Sequence, residues 1–397
     1  MSDLAVADVP DYSLADEIIA RLDRVLPADN GPYALHEPKI GGNAWDYVRD
    51  CLDTGWVSSA GAWVNRFETM LTEITGSAHA VATVNGTAAL HTCLLLVGVQ
   101  PGAEVLVPSL TFVATANTVR YCGAEPHFVD CEATSLGVDP AALDVHLAAT
   151  AERRDGLCVN RLTDRPIRAL VVMHCFGHPA RMDALAEVAE RYSLALVEDA
   201  AESLGSCYAG HHTGHIGRVA AISFNGNKTV TTGGGGAILT DDPVLAARAR
   251  HLTTTARLPA TDAVAHDLVA FNYRMPNLNA ALGCAQLEQL AELLASKRRL
   301  AERIIEAFDG CEGARVLREP EWGRSNYWLN ALILDPSHAA ERDIVLHALN
   351  DAGYQCRPFW TPMHDLPMYA ASPRAPLPVT DRMAASGINL PSGPGLI

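Results

Sequence analysis

The chain of 397 residues lacks the sequence features of several classes of protein, which can therefore be excluded. None of its ten cysteines forms a C-x-x-C pair, which excludes zinc ribbons and thioredoxin-type redox motifs. No run of five like charges occurs, and a net charge of −16 argues against nucleic acid or an anionic membrane as partner. The longest apolar run, residues 94–99, is far shorter than a membrane span. The N-terminus carries early acids and no basic stretch, so we expect a cytoplasmic protein without a signal peptide.

The remaining composition is that of a large globular α/β protein, with 49% hydrophobic and 19% charged residues. Residues 1–30 predict an N-terminal amphipathic helix and a linker. Residues 31–275 alternate strand-like and helical segments, which predicts βαβ units around a mostly parallel sheet, the large domain. Residues 276–397 begin with a long helical pattern to about residue 308 and continue as a smaller α/β domain. Ligands of such sheets bind beyond the carboxyl ends of the strands.

Two strand ends carry residues suited to an anionic ligand and a cationic one. Gly86 and Thr87 lie between a predicted strand and a helix, where free N–H groups and a hydroxyl can bind phosphate. Asp199 follows a buried strand, and a carboxylate there is costly unless it meets a cation such as a protonated pyridine nitrogen. Both motifs have a simpler interpretation, because Thr, Gly and Asp also begin helices as N-caps.

Lys228 follows a third strand-like segment and precedes a run of four glycines. A lysine in this position can reach into a pocket and form a Schiff base with a carbonyl compound. Two glycine-rich alternatives fail, because Asn227 precedes the lysine where Walker A requires glycine, and Ile238 replaces the last glycine of the dinucleotide fingerprint. A flexible loop with a solvated lysine remains the alternative for this motif alone.

Taken together, the three motifs resemble one family, the pyridoxal phosphate (PLP)-dependent nucleotide-sugar aminotransferases of the DegT/StrS type. The resemblance extends over nearly the whole chain, through L-H-E-P at residues 35–38, W-V-S-S at residues 56–59 and R-P-F-W at residues 357–360. It implies the aspartate-aminotransferase fold (fold type I), with a large domain and a smaller C-terminal α/β domain. Within the family, the chain is most similar to 4-aminotransferases of the legionaminic-acid pathway.

The resemblance also implies roles for individual residues. Lys228 would hold PLP as a Schiff base and later move a proton, and Asp199 would keep the pyridine nitrogen protonated. Glu202 would lie near the 3-hydroxyl of the ring, and Phe112 would stack on the ring. The phosphate would be held by Gly86, Thr87 and Ser223, with Asn225 as a further cofactor residue. Asn272 matches a residue that reaches the phosphate from the partner subunit, which implies a homodimer with shared active sites.

The implied reaction transfers an amino group from L-glutamate to the 4-keto carbon of a nucleotide-linked deoxy sugar. Related sugar dehydratases carry histidine in place of the Schiff-base lysine, so Lys228 favours transamination. Two alternatives stay open: a 3-keto sugar aminotransferase of the same family, and a catalytically silent PLP-binding regulator.

Four further residues are candidates for substrate contact, each with a structural alternative. Trp56, Ser58 and Ser59 match the substrate segment of the family, but a turn with an N-cap is equally compatible with them. Arg274 could bind a carboxylate or phosphate, or form a structural ion pair. The histidines in G-H-H-T-G-H-I-G (residues 210–217) lack the spacing of metal ligands, and we expect no metal site.

Overall fold

The computed structural model describes residues 13–258 and 264–397, so the first twelve residues of the predicted N-terminal segment lie outside the described part. Its α-helices are α1 (Ser13–Asp23), α2 (Ala44–Thr54), α3 (Ala62–Thr75), α4 (Gly86–Leu96), α5 (Val113–Tyr121), α6 (Pro140–Thr150), α7 (Met182–Arg191), α8 (Pro243–Thr253), α9 (Asn277–Leu287), α10 (Leu290–Ala307), α11 (Arg342–Asp351) and α12 (Pro378–Ser386).

The strands are β1 (His79–Thr83), β2 (Glu104–Pro108), β3 (Glu125–Val129), β4 (Ala151–Arg154), β5 (Leu157–Asn160), β6 (Arg165–Met173), β7 (Ala195–Asp199), β8 (Cys207–Tyr208), β9 (His211–His212), β10 (Val219–Ser223), β11 (Gly236–Thr240), β12 (Ala314–Val316), β13 (Gly323–Arg324), β14 (Asn330–Leu334), β15 (Arg357–Pro358) and β16 (Gly387–Leu390). Short 3₁₀ turns occur at Ala28–Asn30, Cys175–Gly177, Pro336–Glu341, Met363–Asp365 and Pro367–Tyr369.

The main sheet has the order β1-β11-β10-β7-β6-β2-β3, with the hairpin β4–β5 attached to β6. The pairs β10–β7, β7–β6, β6–β2 and β2–β3 are parallel, whereas β11 runs antiparallel to both of its neighbours. The predicted alternation of strands and helices up to β7 is confirmed, and so is the mostly parallel sheet. The carboxyl ends of the parallel strands therefore meet at one edge of the sheet.

Both faces of this sheet are buried, as is typical of parallel sheets flanked by helices. Along β6, Val171 packs on the face that is covered by α4 and α8, while Leu170 and Val172 pack on the face covered by α7. Alternate side chains of one strand point to opposite faces, so a continuous apolar run can serve two layers. This explains why the strands read as unbroken Val, Leu and Ile segments.

A second, antiparallel sheet of order β12-β14-β16-β15 forms the core of the C-terminal part. Leu14, Ile18 and Leu22 of α1 pack there with side chains of α10 and α11. Because the apolar face of α1 is buried against the C-terminal part, the N-terminal helix is joined to it in space despite lying at the other end of the sequence. A small third sheet, β13-β8-β9, joins the C-terminal part to the large domain.

The long helical pattern over residues 276–308 is two helices in the structure, α9 and α10, which corrects the prediction of one connecting helix. No glycine or proline explains the break, which falls at residues 288–289. The side-chain amides of Gln286 and Gln289 donate to the carbonyls of Lys39 and Gly41, at 2.9 and 3.0 Å. These bonds attach the junction of the two helices to residues 39–41. Helix α9 packs against α3, and α10 continues to the C-terminal part.

No helix among residues 13–258 and 264–397 has the length and apolar composition needed to cross a membrane.

Candidate active site

A cavity of about 720 Å³ opens at the carboxyl edge of the main sheet, between the large domain and the C-terminal part. Eight of the residues predicted from the sequence line it: Gly86, Thr87, Phe112, Asp199, Glu202, Ser223, Asn225 and Lys228. They come from separate segments of the chain, each of which ends or follows a strand of the sheet. The parallel arrangement of the strands brings these segments together.

The first wall of the cavity is the N-terminus of α4. Asn85 caps this helix, with its side-chain oxygen accepting from the Ala88 N–H at 2.7 Å. The N–H groups of Gly86 and Thr87 belong to the first turn, where no intrahelical acceptor exists for them. Space here is tight, because a Cβ on Gly86 would lie 2.8 Å from the Cβ of Ser223. The turn thus presents free donors and the positive end of a helix dipole, which suits a phosphate.

Asp199 forms the end of β7 and is 5% exposed. Its carboxylate accepts from the Thr115 hydroxyl at 2.8 Å and from the Ala201 N–H at 3.2 Å. It forms no ion pair with any cationic side chain of the described residues, and burial raises its pKa above the usual range, against the effect of the Thr115 hydrogen bond. A buried carboxylate of this kind calls for a cationic group in the cavity.

Lys228 lies in the loop between β10 and β11, which is closed by a bond from the Phe224 N–H to the Gly235 carbonyl at 2.8 Å. Its Nζ is 3.4 Å from Oε1 of Glu202, and its side chain is 13% exposed. The other oxygen of Glu202 accepts from the Phe176 N–H at 2.9 Å. Burial raises the pKa of Glu202 to about 7, although the nearby Lys228 acts in the opposite direction. The carboxyl group of Glu202 can therefore take up or release a proton near neutral pH.

Phe112 immediately precedes α5 and is 52% exposed at the cavity, although it is a large apolar side chain. An exposed aromatic ring beside buried polar groups is an adequate stacking surface for a flat ligand.

These groups match the parts of PLP in number and in chemistry. The helix N-terminus suits its phosphate, the unpaired Asp199 carboxylate suits a protonated pyridine nitrogen, and Lys228 suits its aldehyde. Phe112 offers a ring face, and Ser223 and Asn225 add polar atoms beside the α4 turn. The residues present thus fit the cofactor that the sequence resemblance implied.

Five predicted residues lie outside the cavity lining: Trp56, Ser58, Ser59, Asn272 and Arg274. The first four are exposed. Asn277 holds the loop of residues 56–59 from inside, because its side-chain Nδ2 donates to the Trp56 carbonyl at 2.7 Å and its backbone N–H donates to the Ser58 carbonyl at 2.6 Å. Within one subunit these segments do not contact a ligand in the cavity.

Arg274 is 8% exposed and pairs with Glu68, with Nη1 2.7 Å from Oε1. The same Nη1 donates to the Ala82 carbonyl at 3.1 Å. Of the two roles left open by the sequence, the structure favours the structural ion pair, since the guanidinium is committed to buried partners away from the cavity.

The cavity residues that the sequence analysis missed include three polar or aromatic side chains of the C-terminal part: Trp328, Arg357 and Asn389. Arg357 is exposed and forms no ion pair within the described residues, and Oδ1 of Asn389 is buried without a hydrogen-bond partner. All three lie in or beside strands β14 to β16 of the C-terminal part. The R-P-F-W run was noticed for its resemblance, and its arginine next to aromatic residues was a signal that could have identified Arg357.

The glycine–histidine loop at residues 210–217 has a structural role. Oε1 and Oε2 of Glu198 accept from the N–H groups of Gly214, Ile216 and Gly217, all within 2.7 Å. Nε2 of His212 accepts from the Gly205 N–H at 2.7 Å. The described residues contain no group of three or more His, Cys, Asp or Glu side chains that could hold a metal ion. Glu198 and Asp199 are neighbours on one strand, yet the first anchors a loop and the second faces the cavity.

A fold-type I sheet with a lysine, a buried aspartate and a phosphate turn at its carboxyl edge defines a PLP-dependent transferase. The family model of the DegT/DnrJ/EryC1/StrS aminotransferases matches residues 38–397, and the chain belongs to this family. It is therefore a PLP-dependent sugar aminotransferase.

Individual relatives agree with this assignment. The chain is 38% identical over 361 residues to a GDP-perosamine synthase of Caulobacter vibrioides, covering 90% of this chain and 92% of that protein. It is 35% identical over 363 residues to the putative pyridoxal phosphate-dependent aminotransferase EpsN of Bacillus subtilis, covering 90% of each. Among solved structures, a DegT DnrJ EryC1 StrS aminotransferase from Brucella abortus is similar with a TM-score of 0.79 and 28% identity, covering 89% of this chain and 91% of that one.

Proposed function

We propose that this enzyme transfers an amino group from L-glutamate to the 4-keto carbon of a nucleotide-linked deoxy sugar. The observation that carries the proposal is the position of Lys228, whose Nζ lies in the cavity beside the buried carboxylate of Glu202. Glutamate and the 4-keto position come from the sequence resemblance. The sugar substrate is consistent with the family.

The chain supplies four actions to this reaction. The α4 turn binds and orients the cofactor through its phosphate, and Asp199 keeps the pyridine nitrogen protonated by its negative charge. PLP, when bound, supplies the electron sink. Nζ of Lys228 removes and returns the proton at the substrate carbon that loses or gains nitrogen. Glu202 holds this Nζ in the cavity, since its Oε1 lies 3.4 Å from the amine.

The substrates are anions, although the whole chain carries a net charge of −16. Among the described residues that line the cavity, two have cationic side chains, Lys228 and Arg357. Arg357 can bind the carboxylate of glutamate or the diphosphate of the nucleotide through paired N–H donors. One cation in the cavity is sufficient to attract an anionic substrate despite the negative net charge of the chain. Charges more than about 10 Å from the substrate are largely screened at physiological salt.

The sugar is the part of the substrate on which the two lines of evidence differ, and the sequence by itself makes no prediction of the nucleotide. The resemblance in the sequence points to a 4-aminotransferase of the legionaminic-acid pathway, whereas the Caulobacter relative is named for a GDP-linked sugar. The likeness over 90% of the chain favours a GDP-linked substrate for the first assays.

We further infer a homodimer with shared active sites. Asn272 and the loop of residues 56–59 are exposed and lie outside the cavity of their own subunit. Nearby large apolar side chains are also exposed, among them Trp45 at 85% and Trp56 at 60%. Burial of such side chains in a subunit interface would be favourable. The outer segments would then complete the cavity of the partner.

The proposal is tested with nucleotide-linked 4-keto and 3-keto sugars, each assayed with L-glutamate by the absorbance of the cofactor. We expect glutamate to convert the cofactor to its aminated form and a GDP-linked 4-keto sugar to reverse this change. A Lys228→Ala variant should lose at least about 10³-fold in multiple turnover. If only the 3-keto sugars reverse the change, the enzyme is a 3-keto sugar aminotransferase, which is the first alternative left open by the sequence. A cofactor spectrum that is unaffected by glutamate and by every sugar would establish a silent PLP-binding protein.

A further inference from the structure

Trp328 lies between two of the three lysines in the chain, which are Lys39, Lys228 and Lys297. Its ring faces Lys228, and its backbone carbonyl faces Lys297. Trp328 belongs to the C-terminal part, whereas Lys228 belongs to the large domain. The tryptophan thus connects the reactive lysine with a second, buried lysine that has no part in the reaction proposed above.

On the cavity side, Nζ of Lys228 lies 3.9 Å from the centroid of the Trp328 ring. This is well within the distance at which an ammonium group is attracted to the face of an aromatic ring, and tryptophan is the strongest such partner. The ring also contacts the lysine loop directly, since Trp328 Nε1 donates to the Asn227 carbonyl at 2.8 Å. The side chain and the backbone next to Lys228 are therefore both in contact with Trp328.

Each polar group of Trp328 has a hydrogen-bond partner. Its N–H donates to Oδ1 of Asn326 at 2.8 Å, and the amide of Asn326 donates to the Glu202 carbonyl at 2.9 Å. Its carbonyl accepts from Nζ of Lys297 at 3.1 Å. With 6% exposure and all three polar groups bonded, the ring is a rigid surface.

Lys297 supports this surface from behind. Its Nζ donates to the carbonyls of Trp328 and Ser392 and contacts Nε2 of His36 at 3.0 Å. The residue is 1% exposed, and burial lowers the pKa of Lys297 to about 7. These three partners come from three segments of the chain. A buried lysine that bridges them holds the wall of the cavity in one arrangement.

We propose that Trp328 is a positioning residue for Lys228, and that its ring face is where Nζ rests whenever this atom has no covalent bond to the cofactor. In the proposed function, on which this inference rests, the lysine would leave the cofactor in the first half-reaction and would rebind it only at the end of the second. The ring and Glu202 would hold the released amine at a defined place, as an ammonium group whenever it carries the transferred proton. Lys297 would act one step further back, by fixing Trp328.

The proposal is tested first on the apoprotein, which needs neither PLP nor sugar. Trace acetylation with acetic anhydride, read by peptide mass spectrometry, reports the reactivity of each lysine, and exposed Lys39 serves as the internal reference. In Trp328→Leu we expect Lys228 to react about tenfold faster at neutral pH, because less of its amine is held as ammonium. Trp328→Phe retains a ring and should stay within about threefold of the wild type.

The pH dependence of the acetylation rate distinguishes the loss of the Trp328 ring from a simple opening of the cavity. Increased access raises the rate by the same factor at every pH, whereas loss of the ring shifts the whole profile of Lys228 towards lower pH. Trp322→Leu is the matched control, since Trp322 also carries a cation on its face, Arg181 at 4.3 Å, but does not line the cavity. A wild-type profile in Trp328→Leu, or an equal shift in Trp322→Leu, would overturn the proposal.

A second measurement requires no variant and decides the case even if Trp328→Leu fails to fold. With three lysines, ¹³C-labelled lysine gives a spectrum in which each ε-methylene can be assigned. In the apoprotein, the ring current of Trp328 should displace the Lys228 signal upfield of the Lys39 signal. Signals at the same position would refute the contact.

The holoenzyme provides the functional readout. Trp328→Leu should lower kcat on the order of tenfold with KM unchanged, because the released lysine loses its place for proton transfer. If the two apoprotein effects are observed but the wild-type protein catalyses no transamination, the proposed function fails while the resting site stands. If transamination proceeds and the apoprotein effects are absent, the reverse holds.

Discussion

Two regions that the sequence assigned to one active site differ in their structure. The inner region, at the edge of the main sheet, consists of residues 85–87, 199–202 and 223–228, and all three segments contribute to one cavity. The outer segments, residues 56–59 and 271–274, do not line that cavity. The inner segments point into the cavity from strand ends, whereas the outer segments are held by buried groups beneath them, Asn277 and Glu68.

The difference shows how far a single subunit can build its own site. The carboxyl ends of parallel strands lie at the same edge of the sheet, so the residues that follow these strands are brought close together by the sheet itself. The outer segments have no such constraint, and their positions depend on individual hydrogen bonds. We expect substitutions in the inner region to affect chemistry, and substitutions beneath the outer segments to affect stability and substrate affinity.

The largest effect should come from the inner region. Asp199→Asn keeps the shape of the side chain but removes the charge that stabilises a protonated pyridine nitrogen, and we expect kcat to fall by about 10²–10³-fold. The measurement is steady-state amino transfer together with the cofactor spectrum. Asp139→Asn, which replaces one N-cap residue of α6 by another, is the control and should be neutral. Near wild-type turnover in Asp199→Asn would remove this residue from the mechanism.

The next effect distinguishes the two roles of Arg274. Among the described residues, Arg274→Met leaves the buried carboxylate of Glu68 with the half-exposed Arg250, at 2.9 Å, as its one remaining ion-pair partner. We expect the free energy of unfolding to fall by about 3 kcal/mol in urea denaturation, with KM values nearly unchanged. The exposed pair of Arg49 with Asp46 gives the control, and Arg49→Met should cost less than about 1 kcal/mol. A raised KM with unchanged stability would instead indicate that Arg274 binds the substrate.

The smallest effect concerns the loop of residues 56–59. Asn277 is buried, and its Oδ1 accepts from the N–H of Trp63 at 3.0 Å and of Val64 at 3.3 Å, which caps α3. Asn277→Ala should lower stability by about 2 kcal/mol, because these donors and the Trp56 carbonyl lose their partner.

The same variant tests the shared site. If the loop reaches the cavity of the partner subunit, KM for the nucleotide sugar should rise on the order of tenfold while the glutamate half-reaction stays unchanged. Asn65→Ala, an exposed asparagine on α3, is the control. Equal changes in both half-reactions would contradict a role of the loop in binding the sugar.

The inner region was predictable because each of its signals is local. Asp199 was found from a buried strand that ends in an acid, and Gly86 and Thr87 from a turn between a strand and a helix. Trp328 was not predictable in this way, since 101 residues separate it from the Asn227 carbonyl to which it donates. The break between α9 and α10 was missed as well, since no glycine or proline marks it in the sequence.

The sequence by itself determined the class of fold, and it predicted which edge of the sheet holds the cavity and which lysine lies there. Periodicity and strand-end residues are encoded over a few neighbouring positions, and propensity and burial act on them directly. Only the tertiary structure decided that Arg274 pairs with Glu68, that Asn277 holds the outer loop and that Trp328 faces Lys228. Each of these contacts joins segments distant in the chain, and the choice among many possible partners is made by packing, which no local pattern records.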